Sequence, residues 1–449
     1  METPICDFVR QYTDDDAVRM HMPGHKGRAF LGMEQVDITE ITGADSLYEA
    51  RGIIRRSEEN AGSLFGCRTF YSTEGSSQCI RAMLYLAVLY GRRAGKKPLI
   101  AAGRNAHKAF LTAAALLDLD VQWLYPGAQD SYLSCKIDAQ TLHGVLQDCA
   151  EKPLAVYLTN PDYLGNMVDL RAIAQVCHRH GVLLLVDNAH GAYLKFLPES
   201  MHPMDLGADI CCDSAHKTLP VLTGGAYLHI SRSAPSFLRE NAKRALAMFG
   251  STSPSYLILQ SLDAANRYLA GEYREKLRQF TLRVRELKGK LAAHGYCLCS
   301  DEELKLTIAA KSFGYTGVQL AQFVEAHHIV CEFADPDFTV MMLTPENTTE
   351  DLRKLEEVLL SIPRRVPITV QPPRFHKAER VMTIRDAAFS PCELIPSAQC
   401  SGRILASASV GCPPAVPIVA CGERMDDASV ECFQYYGIES CAVLCLQKQ

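Results

Sequence analysis

Short apolar runs alternate with segments of helical periodicity from about residue 60 to about residue 230. This alternation is typical of βαβ units, in which helices join parallel strands and cover the sheet. The predicted strands span residues 98–102, 121–125, 154–158, 182–186, 209–212 and 225–230. The predicted helices of the same region span residues 77–92, 107–117 and 170–180. The pattern therefore predicts an α/β fold around a mainly parallel sheet.

Polar side chains follow four of these strands at the point where each strand ends. They are Asn105, Asn160, Asp187 and Ser214. Open α/β sheets bind their ligands outside the carboxyl ends of the strands. We therefore expect the functional site at this edge.

The hydrophobic pattern of the sequence changes after residue 254, where two long amphipathic helices are predicted, followed by alternating strands and helices. A proline-rich stretch at 362–373 resembles a linker. We predict an N-terminal arm at 1–45, a large domain at 46–255, a small α+β domain at 256–365 and a C-terminal domain at 374–449.

Composition narrows the possible partners and the compartment. The 449 residues carry a net charge of −5, which gives no electrostatic reason to bind nucleic acid. The longest apolar runs, such as residues 83–90, are too short to span a bilayer, and no basic-then-apolar leader opens the chain. The 18 cysteines show no CxxC pair and no zinc-ligand spacing. We expect a cytoplasmic protein with reduced thiols, without a metal and without a membrane anchor.

Asp187 and Lys217 carry the chemical prediction. Asp187 ends an aliphatic run, and Lys217 lies in the stretch 213–220 that follows another apolar strand. A lysine amine can hold the aldehyde of pyridoxal 5′-phosphate (PLP), and an acid keeps its pyridine nitrogen protonated. The alternatives are a surface-turn aspartate and a solvated lysine. The apolar runs that precede both residues indicate that they are buried, which favours a PLP site over the alternatives.

A phosphate site is predicted at Gly75, Ser76 and Ser77. Small residues let the main chain approach a ligand, and the start of a helix offers free N–H groups and a positive dipole. The same residues would also serve as a simple helix cap. His107, just after a strand, could stack on the cofactor ring, or it could be a structural histidine at a helix start.

The order of these motifs resembles one family. Residues 208–223 are similar to the active-site peptide of the Orn/Lys/Arg decarboxylases of PLP fold type I, and residues 21–27 are similar to that family's HxPGHxxG signature. Residues 412–423 resemble a diverged form of its PPGIPxxxPGE segment, with Cys412 and Ala415 where the family prefers Tyr and Gly.

The resemblance implies a PLP fold type I large domain with smaller α+β C-terminal domains, and a homodimer or larger homo-oligomer with shared active sites. In this reading Lys217 anchors PLP and His107 stacks on its ring. The other implied cofactor contacts are Ser76, Ser77 and Ser214 with His216 at the phosphate, Ala189 and His190 near the ring, and Thr252 and Ser253 across the dimer interface.

The predicted reaction is the decarboxylation of arginine, lysine or ornithine to a polyamine-pathway amine and CO2. Lys217, His216, Asp187 and His107 are the predicted catalytic residues, and Glu423 is a candidate partner for the distal charge of the substrate. The alternatives are a PLP-dependent aminotransferase or lyase and a non-catalytic regulatory homologue. An aminotransferase would clamp the α-carboxylate with an arginine such as Arg365 or Arg374. The sequence leaves the choice among the three amino acids open.

Overall fold

A computed structural model of the protein describes residues 1–127, 132–407, 411–412 and 416–445. Ala415, one of the two departures noted above, lies outside these residues, and of Cys412 only the main chain is described. Among the helices in these ranges, none combines the length and the apolar composition that crossing a bilayer requires.

Strands and helices alternate along the chain. The strands are β1 Arg68–Ser72, β2 Leu99–Gly103, β3 Asp120–Leu124, β4 Ala155–Thr159, β5 Leu183–Asp187, β6 Ile210–Asp213, β7 Ala226–Ile230, β8 Lys305–Ala309, β9 Phe333–Ala334, β10 Phe338–Met342, β11 Glu379–Arg380, β12 Cys392–Pro396, β13 Gly411–Cys412, β14 Val416–Pro417, β15 Glu423–Arg424 and β16 Ser440–Leu444. The α-helices are α1 Pro4–Asp14, α2 Ile53–Phe65, α3 Gly75–Arg92, α4 Lys108–Leu117, α5 Ala139–Asp148, α6 Leu170–Arg179, α7 Pro203–Leu206, α8 Ala215–Thr218, α9 Ser236–Glu240, α10 Ala242–Ala247, α11 Tyr256–Ala270, α12 Tyr273–His294, α13 Gly317–Glu325, α14 Thr349–Ser361, α15 Ile384–Ala388 and α16 Asp427–Tyr435.

The chain forms two compact units, and each is built from two separate stretches of sequence. The first unit comprises Met1–Lys97 and Leu170–Arg278. The second comprises Pro98–Asp169 and Gln279–Gln449. The four domains expected from the sequence follow a different division, and their boundaries stay a prediction.

In the first unit, four strands neighbour one another in the order β1–β7–β6–β5. Strands β5 and β6 are parallel, with Asp187 opposite Cys212, whereas β7 runs antiparallel to both β6 and β1. All five residues of β5 are buried, as expected for a strand whose sheet is covered on both faces. Because β5 and β6 point the same way, the residues that follow them lie at one edge.

In the second unit, β2 lies between β4 and β3, and both pairings are parallel. A separate antiparallel sheet has the order β8–β10–β9. Helices α13 and α14 begin at capping boxes on Thr316 and Thr348, which satisfy main-chain N–H groups at both helix starts. Three two-stranded sheets complete the described part of this unit, namely β11–β15, β12–β16 and β13–β14.

The six predicted strands between residues 98 and 230 are all confirmed to within two residues at each end. The α/β class with a mainly parallel sheet is confirmed as well. Strand β1 and helices α2 and α5 were not among the predicted elements. Residues 363–378, which include most of the predicted linker, contain neither helix nor strand.

Candidate active site

Asp187 lies at the carboxyl end of β5 and is only 2% exposed. Its Oδ1 accepts a hydrogen bond from the main-chain N–H of Ala189 at 3.2 Å and a weak one from the thiol of Cys212 at 3.7 Å. The residue is therefore buried and does not lie in a surface turn. A buried carboxylate at a strand end is suited to hold a charged or protonated group of a ligand.

Lys217 lies in the short helix α8, between β6 and β7. Its Nζ is 2.9 Å from Nε2 of His190, a buried residue in the turn that follows β5. An ammonium carries no lone pair, so in the charged state Lys217 donates and His190 accepts. The two loops that follow β5 and β6 therefore meet at this contact.

The predicted phosphate residues meet the same loops. Helix α3 begins at Gly75, whose φ of +71° is in the left-handed region. Apart from its chain neighbours and the backbone of its own helix, no atom of the described residues lies within 4 Å of the place where a Cβ would stand. Ser214 Oγ donates to Ser76 Oγ at 2.7 Å. Ser77 follows in the first turn of the 18-residue helix. Hydroxyls and free N–H groups at a helix start form a suitable cradle for phosphate.

His216 is held by Gly225, whose carbonyl oxygen lies 3.0 Å from Nδ1. A carbonyl only accepts, so Nδ1 carries the proton and Nε2 is the basic nitrogen of the neutral ring. Burial lowers the pKa of His216, and the nearby charge of Lys217 adds to this effect. The imidazole is accordingly neutral at neutral pH.

The remaining predicted residues of the first unit differ in burial. Ala189 is buried beside Asp187, whereas Thr252 and Ser253 are exposed. The N–H of Ser253 donates to Ser251 Oγ at 3.1 Å. Their predicted placement in the active site of a neighbouring subunit stays a prediction.

Two predicted residues belong to the second unit. His107 caps α4, where its Nδ1 accepts from the N–H of Ala109 at 3.2 Å. Glu423 is buried in an ion pair with Arg104, at 3.0 Å between Oε2 and Nη2. The same Oε2 accepts from the N–H of Ala420 at 2.7 Å. A substrate cation would therefore have to be met by Oε1.

Sequence reasoning missed Arg104, although it directly follows β2 and lies three residues before His107. Its guanidinium also donates to the carbonyl oxygens of Pro417 at 2.8 Å and Ile418 at 3.1 Å. The signal was a charged residue directly after a buried strand, as with Asp187.

A second missed group surrounds Asp213, the last residue of β6. His202, Cys211 and Asp213 offer possible metal-ligand atoms within 4.8 Å of one another. The hydrogen bond between His202 and Asp213, at 3.0 Å, already uses two of those atoms. Burial raises the pKa of the Cys211 thiol well above its usual value, which keeps the sulfur protonated. The group is better described as a hydrogen-bond network than as a metal centre.

Comparison with known proteins decides the family. A family model described as Orn/Lys/Arg decarboxylase, major domain, matches residues 3–299 of the chain. The chain belongs to the Orn/Lys/Arg decarboxylase family. The resemblance seen in the motifs is thereby confirmed.

Relatives cover nearly the whole decarboxylase chain. An arginine decarboxylase of Bacillus subtilis is 30% identical over 475 residues, covering 96% of this chain and 92% of its own. A lysine decarboxylase structure from Francisella novicida superposes with a TM-score of 0.78 at 17% identity, covering 99% of this chain and 81% of that one. A structure of SPT with PLP gives a TM-score of 0.54 at 14% identity, covering 71% and 79%. The solved structures support PLP fold type I.

The residues of the decarboxylase fit PLP as its cofactor. The space beside Gly75 and the hydroxyls of Ser76 and Ser214 could accommodate a phosphate group. The buried carboxylate of Asp187 could pair with a protonated ring nitrogen. The protein is a PLP-dependent amino acid decarboxylase. The aminotransferase and non-catalytic alternatives give way to this assignment.

Proposed function

We propose that this decarboxylase acts on a basic amino acid, with arginine as the first candidate, and releases CO2 and the corresponding amine. The proposal is carried by the contact between Lys217 and His190, which lies three residues after the buried Asp187, because an amine and a buried acid are the two groups that PLP chemistry requires. The curated relative with 96% coverage is named an arginine decarboxylase, which favours arginine over lysine and ornithine.

The proposed mechanism assigns a task to each group. When bound, PLP supplies the sink for the electron pair left on Cα as CO2 departs. Asp187 would hold the proton of the pyridine nitrogen, and Ser76, Ser77 and Ser214 would hold the phosphate. Lys217 would anchor the cofactor, and its Nζ would supply the proton that Cα of the substrate takes up after CO2 has left.

The two histidines set the proton positions. His190 orients the Lys217 amine through the 2.9 Å contact. His216 keeps its proton on Nδ1, which donates to the carbonyl of Gly225, so its Nε2 is free to take up a proton. Once the imidazole is protonated, Nε2 would donate a hydrogen bond to a phosphate oxygen. His107 is proposed to stack on the ring, and Glu423 to meet the distal cation of the substrate through Oε1.

The test is direct. Purified protein with PLP is incubated with arginine, lysine or ornithine, and the released CO2 and amine are identified as agmatine, cadaverine or putrescine. Lys217→Ala should abolish release. The matched control is Lys195→Ala, which removes a lysine of the same unit that is paired with Asp205 at 2.7 Å. Turnover by Lys217→Ala at the rate of the control would refute the assignment.

The proposal includes a homodimer with shared active sites. Large apolar side chains of the N-terminal arm are exposed, Met20 by 88% and Leu31 by 91%. Exposed apolar surface of this kind marks association sites. Light scattering of the full chain and of Leu31→Ser should show a dimer that weakens in the variant. A monomeric wild type would refute the proposal.

The product and the compartment complete the proposal. The amine formed from a basic amino acid would enter polyamine formation, and the enzyme would act in the cytoplasm. Every cysteine whose side chain is described is a free thiol, which is in keeping with a reducing compartment. Cell fractionation with an antibody would check the location.

A further inference from the structure

The carboxylate of Asp213 is fully buried and accepts hydrogen bonds from three side chains. Its Oδ2 lies 3.0 Å from Nε2 of His202 and 3.2 Å from Nε2 of His229. Its Oδ1 accepts from Nδ2 of Asn188 at 2.7 Å. The mechanism proposed above uses none of these four residues.

The two imidazoles keep the carboxylate charged. His202 Nδ1 accepts from the N–H of Met204 at 3.3 Å, so its proton is on Nε2 and points at Asp213. Burial by itself would raise the pKa of Asp213, but the two imidazoles outweigh it and hold that pKa far below its usual value. The site is therefore a buried anion with fixed donors.

Asn188 connects this anion to the proposed cofactor site. It directly follows Asp187, and its N–H donates to the carbonyl of Cys212 at 2.9 Å. It also opens the turn that carries His190, and a Cβ on Gly191 would lie 2.1 Å from Asn188 Oδ1. The amide is thus tightly enclosed by the turn that it supports.

Asp213 itself connects to the other loop. The next residue, Ser214, donates to Ser76, and three residues further along Lys217 contacts His190. The hydrogen bond from Asn188 to Asp213 therefore joins the turn after β5 to the end of β6, in addition to the Lys217–His190 contact between the two loops. Both loops carry residues assigned to PLP.

We propose that Asn188 and Asp213 form a positioning pair that sets the alignment of Asp187 and Lys217 for PLP. The pair acts through the loops and does not touch the reacting atoms. The inference rests on the proposed roles of Asp187 and Lys217, and it adds two residues that set how well those groups are placed.

The chemistry of the pair allows a swap. Asn188 Oδ1 is buried and has no hydrogen-bond partner among the described residues. In the double variant Asn188→Asp/Asp213→Asn, the new amide donates to the new carboxylate, so the hydrogen bond returns with its polarity reversed. Asn188→Asp alone places two carboxylates against each other, which is unfavourable for both.

The experiment titrates the full-length protein with PLP and follows its visible absorption, with thermal unfolding measured alongside. Asn188→Ala should weaken PLP binding about tenfold or more, the effect of one buried hydrogen bond lost from an aligned site. Asn188→Asp should weaken it further, and the double variant should recover part of that loss, because the hydrogen bond returns while the charge moves away from the two imidazoles. At saturating PLP, kcat should fall in Asn188→Ala more than KM changes.

Thr69→Val is the matched control. Thr69 Oγ1 bonds His229 Nδ1 at 2.8 Å, at the end of the same network that is remote from Asn188. This variant should lower the thermal midpoint and leave PLP affinity within about twofold. Asn188→Ala binding PLP as tightly as Thr69→Val, or a double variant no better than Asn188→Asp, would overturn the proposal. A wild type that binds PLP but forms no CO2 would refute the proposed function and leave this test valid.

Discussion

Removing the guanidinium of Arg104 should destabilise the second unit strongly. Arg104 is 3% exposed and forms its ion pair with Glu423 at 3.0 Å, with two further hydrogen bonds to the carbonyls of Pro417 and Ile418. Arg104→Met keeps most of the side-chain volume but leaves Glu423 buried without its cation. Breaking one partner of a buried pair typically costs about 3–5 kcal/mol.

A second variant separates the lost charge from the lost packing. Arg104→Met/Glu423→Gln removes the uncompensated anion and keeps an acceptor for the N–H of Ala420. It should recover about half or more of the lost stability, because the buried charge accounts for most of the penalty. The exposed pair Arg380–Asp120, at 2.7 Å in the same unit, is the control. Arg380→Met should cost about 0–1 kcal/mol.

Urea unfolding followed by tryptophan fluorescence is the appropriate assay. The chain has one tryptophan, Trp123, and the Arg104 guanidinium lies 5.1 Å from its ring centroid. The signal therefore reports on the neighbourhood of the ion pair. A loss below about 1 kcal/mol in Arg104→Met, equal to that of a surface pair, would refute the reasoning.

Three further predictions follow from the other sites. Asp187→Asn should lower kcat by orders of magnitude while the thermal midpoint changes little, and steady-state CO2 release checks this. Burial raises the pKa of Asp335 to about 6 against the opposing hydrogen bonds from Phe338 and Asp337. The folded protein therefore binds this proton more tightly than the unfolded one, so stability should fall as pH rises through about 6, by on the order of 2 kcal/mol. Asp335→Asn should flatten that fall in urea titrations at pH 5 and pH 8, and an unchanged slope would contradict it. Leu31→Ser should shift the light-scattering mass toward a monomer, and an unaltered mass would argue against association through the arm.

Much of the part of the candidate site that lies in the first unit could be predicted, because the sequence patterns that indicate it are local. Asp187 and Lys217 each follow an apolar run, and Gly75 precedes a helix with strong periodicity. These patterns can be recognised within a short window of sequence, because they depend only on which neighbouring residues are apolar. The family resemblance then ordered these local signals along the chain.

The rest depends on contacts between residues that are distant in sequence. Arg104 and Glu423 are separated by 319 positions, and Asn188 and Asp213 by 25. Strand β1 mixes polar and aromatic residues over five positions, so its periodicity alone is weak, and it pairs with β7 far along the chain. No periodicity in a single stretch encodes such pairings.

The discontinuous first unit has a consequence for how the protein is made. Strand β1 can pair with β7 only after residue 230 has left the ribosome, and the N–H of Ile5 finds its acceptor, Asp263, later still. Strand β1 and the segment around Ile5 therefore remain without these partners, with apolar side chains uncovered, while about 150 further residues are translated. Chaperone demand during translation should accordingly be highest over this interval, and a truncated product ending at residue 97 should aggregate.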